Sequence, residues 1–90
     1  MALSYYKITI TEHDYHYTTY TMWVAGTSRN QAIVIAAAMA GQERSRREFE
    51  RVNGRMNSLV PSAMIEPDIL IDKATLEEYW EHRDTVEVKE

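Results

Sequence analysis

Tyr15-His-Tyr-Thr-Thr-Tyr-Thr-Met-Trp-Val-Ala25 is followed by Gly26-Thr-Ser28 and then by Ala32-Ile-Val-Ile-Ala-Ala-Ala-Met-Ala40. Across this stretch the apolar period changes from two to about 3.6. The first run is dense in β-branched and aromatic residues, which suit a pleated, half-buried surface. Gly26-Thr-Ser28 breaks it, and the run that follows consists mostly of strong helix formers. A strand feeding a long helix is a fold signal that carries no chemistry.

Toward the N-terminus, Leu3 to Glu12 alternates, with Tyr6, Ile8 and Ile10 on one face and Tyr5, Lys7, Thr9 and Thr11 on the other. Tyr20, Met22 and Val24 form the apolar set of the second strand. The two sets share a face only when paired residue numbers sum to an even number. Pairing Tyr6 with Met22, and Ile8 with Tyr20, meets that condition and leaves His13-Asp14-Tyr15 as the loop; a two-residue His-Asp loop would turn one strand over. In this register Tyr5 lies opposite Trp23, beside Lys7, Tyr17 and Thr21. The second face is therefore not plainly solvated.

Toward the C-terminus, Ser28 can cap the helix, its hydroxyl accepting from the first free amides. At about 100° per residue, Val34, Ala38, Gly41, Ser45, Phe49, Val52 and Met56 fall in one stripe, and its small residues would allow close approach to a sheet. Asn53-Gly54 is the expected end of the helix. Leu59-Val-Pro-Ser and Glu66-Pro-Asp mark an irregular stretch, and Ile69-Leu-Ile71 reads as a short buried strand. Thr75-Leu-Glu-Glu78 has the spacing of a capping box, opening a short helix through Trp80 to His82. Thr85-Val-Glu-Val-Lys89 alternates as a last strand. The order is ββαβαβ: residues 1–90 as a single α+β domain, a mostly antiparallel sheet with helices on one face.

Ninety residues is near the size at which one core is only marginally sufficient, which raises the prior for a homodimer. The chain has no cysteine, so neither disulfides nor thiol chemistry enter. A formal charge of −4 argues mildly against a general nucleic-acid binder and permits a basic partner. Met1-Ala-Leu-Ser-Tyr-Tyr-Lys has neither the basic nor the apolar region of a signal peptide. The run Ala32–Ala40 is far shorter than the ~20 residues of a membrane span. The expectation is a soluble, cytoplasmic protein with no membrane contact.

Two surfaces are candidates for partner binding. Arg44, Arg47, Arg51 and Arg55 line one helix face, about a quarter-turn from the Phe49 stripe. Guanidinium groups in a row suit carboxylate or phosphate recognition. The plainer reading pairs them with Glu43, Glu48 and Glu50, although five Arg against three Glu over residues 43–55 leaves a positive excess. The second candidate is the aromatic sheet face of Tyr5, Lys7, Tyr17 and Trp23. It fits a protein or homodimer interface, base stacking, or simple coverage by residues 57–68 or the C-terminal helix.

Other clusters are better read as structure. His13, Asp14 and His16 lack the further ligands a zinc site needs and read as turn residues, so no metal is expected. Glu77, Glu78, Glu81 and Asp84 read as the wet face opposite Leu76, Tyr79 and Trp80. Ser45, Ser58 and Ser62 have no nucleophile context, and no Gly-rich phosphate loop is present. No catalytic constellation can be assembled. The expectation is a non-enzymatic protein with no cofactor.

Met22-Trp-Val-Ala-Gly-Thr-Ser-Arg-Asn-Gln-Ala-Ile-Val-Ile-Ala36 resembles a layout common in small bacteriophage and mobile-element proteins, among them anti-CRISPR proteins and inhibitors of host polymerase or defence systems. In it a strand ending near Ala is followed by a Ser or Thr cap and an Ala-rich helix. The resemblance covers about a sixth of the chain and carries over no functional residue. It implies a protein that occludes a surface on a larger protein or ribonucleoprotein complex in the host cytoplasm. A nucleic-acid-binding accessory protein and a structural homo-oligomer are the alternatives.

Overall fold

The computed structural model describes residues 2–13, 17–51 and 68–90, with residues 48–51 described by their backbone only. Two long strands, β1 (Ser4–His13) and β2 (Tyr17–Gly26), form an antiparallel hairpin. The helix α1 (Arg29–Arg51) follows, then β3 (Asp68–Lys73), α2 (Leu76–His82) and β4 (Val86–Lys89). The strands make one antiparallel sheet in the order β3-β1-β2-β4. The ββαβαβ order of an α+β domain holds. Among the described residues, no helix is long and apolar enough to cross a membrane.

The hairpin register differs from the expected one by two residues. Tyr6 pairs with Val24 and Ile8 with Met22, so Lys7, not Tyr5, faces Trp23, and residues 14–16 lie between the paired His13 and Tyr17. The shift is even, so each side chain keeps its face. The added pairs extend the ladder to Ser4↔Gly26 and bring Tyr6, Ile8 and Ile10 against Val24, Met22 and Tyr20, all buried.

At the start of α1, the Gln31 amide donates to Ser28 Oγ at 3.1 Å, as the N-cap reading requires. The Gln31 side chain reaches back to accept from the Thr27 amide at 2.6 Å. The turn is tight: a Cβ on Gly26 would stand 3.2 Å from both Ala32 N and Ser28 O.

The buried stripe of α1 is Ala32, Ala36 and Ala40, not the expected Val34, Ala38 and Ser45, which are exposed. The reason lies across the interface. This sheet face already carries Tyr6, Tyr20, Met22 and Ile8, so the helix approaches only where its side chains are small, and Val34 is left 68% exposed. Phe49, Val52 and Met56 of that stripe, and the Asn53-Gly54 end, lie outside the described side chains and residues.

The expectation that both helices share one face is also overturned. α1 covers the face of Tyr6, Ile8 and Tyr20, whereas α2 lies on the other, with Tyr79 against Tyr5 and His82 stacked on Trp23. Topology dictates this. β3 and β4 sit at opposite edges, so the chain joining them must cross β1 and β2, and one face is already taken by α1. β3 is likewise an edge strand instead of a buried one: Ile69 is 38% and Leu70 67% exposed, and only Ile71 packs partly into the core.

Candidate functional site

α2 is built to hold one side on the sheet and show another. Thr75 Oγ1 accepts from the Glu78 amide and Glu78 Oε1 accepts from the Thr75 amide, each at 3.1 Å, closing the expected capping box. Tyr79 and His82, three apart and so on one side, face inward. Tyr79 meets Tyr5 with ring centroids 5.2 Å apart, and His82 stacks on Trp23 at 4.2 Å with the planes 23° apart. Trp23 is only 6% exposed, Lys7 Nζ stands 5.7 Å from its ring, and its buried Nε1 has no hydrogen-bond acceptor among the described residues.

About a quarter-turn away, Leu76, Trp80 and Arg83 follow at helical spacing. Leu76 is 48% and Trp80 56% exposed. The Arg83 guanidinium lies over the Trp80 ring, 4.1 Å from its centroid, and Tyr79 meets the same ring edge-on. These two contacts leave an indole that still offers much of its surface to solvent. Glu77, Glu78, Glu81, Asp84 and Glu87, on α2 and in the chain that follows it, are all exposed. Arg83 approaches Asp84 at 3.8 Å and His82 approaches Glu81 at 3.9 Å, and the carboxylates outnumber the cations on this side. The result is an exposed aromatic and apolar patch on an acid-rich helix.

Of the expected site residues, Tyr5, Lys7 and Trp23 come together on one sheet face, and Tyr17, Arg44 and Arg47 lie elsewhere. Tyr5 and Trp23 sit beneath α2, so the coverage reading applies to them; Lys7 is exposed. Tyr17, 66% exposed, stands apart at the far end of the sheet, edge-on to His13. Arg44 and Arg47 of α1 reach partners outside the helix. Arg44 donates to Glu12, with side chains 18% and 8% exposed, and Arg47 pairs with Glu90. Their partners are therefore distant in sequence; of the three helix acids proposed, Glu43 pairs with Arg46. The Arg51 side chain and Arg55 lie outside the described ones.

These contacts move the titration of three groups. Burial, then the nearby Glu12 carboxylate, pushes the Tyr20 hydroxyl above its usual range, against the lowering effect of Arg47. Burial alone would lower Arg47, but its hydrogen bonds to Glu90 and Tyr20 prevail and raise it. The hydrogen bond from Arg46 holds Glu43 below the ordinary carboxylate range.

Of the histidine cluster, His13 Nε2 donates to Asp68 Oδ2 at 2.8 Å, while Asp14 and His16 lie outside the described residues. Among the described residues, no group of three or more His, Cys, Asp or Glu is placed to hold a metal ion. No protein-family model, curated protein or solved structure matches the chain.

The Leu76, Trp80 and Arg83 patch escapes a reading of sequence alone because Leu76 and Trp80 look like core. The helical period was there to find it: Tyr79 and His82 claim one side of α2, which leaves Trp80 beside, not beneath, the helix.

Proposed function

We propose that this chain is a non-enzymatic protein-interaction module that acts by occluding a basic surface on a larger nucleic-acid-processing complex. The carrying observation is the Trp80 ring, in contact with Arg83 and Tyr79 yet 56% exposed, on a helix whose other exposed residues are largely carboxylates. Trp offers large apolar area with few rotatable bonds, and Trp and Arg are enriched in binding hot spots. Surfaces that handle nucleic acid are basic, because they must neutralise phosphate. An acidic chain with an apolar anchor is complementary to such a surface and competes for it. The phage-inhibitor layout of residues 22–36 supports the same mode of action.

The nucleic-acid-binding alternative loses support, because Arg44 and Arg47 are engaged by Glu12 and Glu90. The proposal is tested by capture on the immobilised chain from a bacterial lysate, with and without nuclease. A stoichiometric protein complex retained after nuclease, and released as salt rises, is the expected result. Recovery that disappears with nuclease would overturn it.

A further inference from the structure

The sheet has two edges, and they are not equivalent. β4 is four residues long, a short edge of the kind by which proteins discourage added strands. β3 is six residues long and carries Asp68-Ile-Leu-Ile-Asp72. The Ala74 amide donates to Tyr5 O at 2.9 Å, so Ala74 directs its backbone groups toward β1. In an antiparallel ladder these directions alternate. Asp72, Leu70 and Asp68 therefore also turn their amide and carbonyl groups toward β1, whereas Lys73, Ile71 and Ile69 turn theirs outward. The edge presents a row of backbone donors and acceptors aligned for one more strand.

The side chains define what that strand carries. Asp68, Leu70 and Asp72 lie opposite Thr11, Thr9 and Lys7, on the face that α2 covers only near Tyr5 and Trp23. Leu70 is 67% exposed, and the Asp68 side chain remains 79% exposed although it bonds His13. Ile69 and Ile71 face the other way, beside Ile10 and Ile8. A strand laid on this edge would set basic residues opposite the two aspartates, an apolar residue opposite Leu70, and apolar residues opposite Ile69 and Ile71. Asp-Ile-Leu-Ile-Asp reads alike in both directions, so the requirement holds for either strand polarity.

We infer that the β3 edge takes up an extended segment of another protein in which three apolar residues are flanked on both sides by lysine or arginine. Such strand addition draws affinity from the backbone and selectivity from alternate side chains. A second copy of the chain is the poorer occupant. Its centred register would place Asp68 opposite Asp72 of the copy twice, and like charges directly opposed are destabilising. The net charge of −4 adds to that preference for a basic partner. The residues invoked are those of β3 and none of the Trp80 patch.

The test uses the full chain and a labelled synthetic peptide with an Ile-Val-Ile centre and flanking lysines, followed by fluorescence anisotropy. Three controls accompany it: the same peptide with flanking glutamates, the lysine peptide with alternate backbone amides N-methylated, and the double variant Asp68→Lys/Asp72→Lys checked for fold by circular dichroism. Two charge pairs at the rim correspond to roughly a tenfold preference. The wild type should bind the lysine peptide about tenfold more tightly than the glutamate peptide. The double variant should reverse that order, N-methylation should abolish binding, and Trp80→Ala should leave it unchanged. Absence of saturable binding, equal affinity for both peptides, or a doubled mass in sedimentation that the peptide does not compete away would overturn the inference.

Discussion

Glu12 sits on the core side of β1, where apolar alternation would call for another aliphatic residue, and its carboxylate is 8% exposed. Burying it is tolerable because Arg44 arrives from α1 to meet it. Removing one partner takes a charge-assisted contact away from the other in a poorly solvated place. Arg44→Leu should therefore cost about 3 kcal/mol, the low end for a buried pair because Arg44 keeps 18% exposure. The double variant Glu12→Leu/Arg44→Leu should recover most of that loss in urea titration. Tyr20 gives a pH signature. Its ionisation is raised in the folded chain, so above about pH 10 the unfolded chain releases that proton while the native one holds it. Stability from this group is present below pH 10 and falls as pH rises beyond it. Tyr20→Phe should flatten the alkaline limb of the stability profile, and an unchanged limb would assign it to other tyrosines.

α2 is the element on which the functional reading turns, and it is only seven residues long. So short a helix does not persist alone; it is kept by its Thr75 cap and by Tyr79 and His82 on Tyr5 and Trp23. Thr75→Ala should cost about 1 kcal/mol. Made in a Trp80→Phe background, it should also red-shift Trp23 emission and open that ring to acrylamide quenching. The cap and its helix were legible in the sequence because capping chemistry is local, as were the hairpin faces, which depend only on parity. The stripe of α1 was not. Choosing between Ala36 and Val34 as the inward residue requires knowing how large the opposing side chains are. The face chosen by α2 was equally hidden, since it follows from β3 and β4 lying at opposite edges, a fact of strand order.

For the molecule taken together, the same logic separates the charges. Arg44 and Arg47 meet Glu12 and Glu90, which come from opposite ends of the chain, so a helical wheel drawn on Glu43 to Arg55 cannot place these two pairs. The acids of α2 are left outside. A chain that read as an arginine-faced binder thus carries an exposed Trp80 on its acid-rich short helix, and among the described residues the other exposed Tyr, Trp or Phe is Tyr17, at the far end of the sheet. The decisive measurement is capture from nuclease-treated bacterial lysate on three immobilised proteins: wild type, Trp80→Ala and Tyr17→Ala. Loss of a hot-spot Trp corresponds to roughly a thirtyfold fall in affinity. One protein complex held by wild type and Tyr17→Ala but lost from Trp80→Ala is the expected result. Equal retention of that complex by Trp80→Ala would contradict the account.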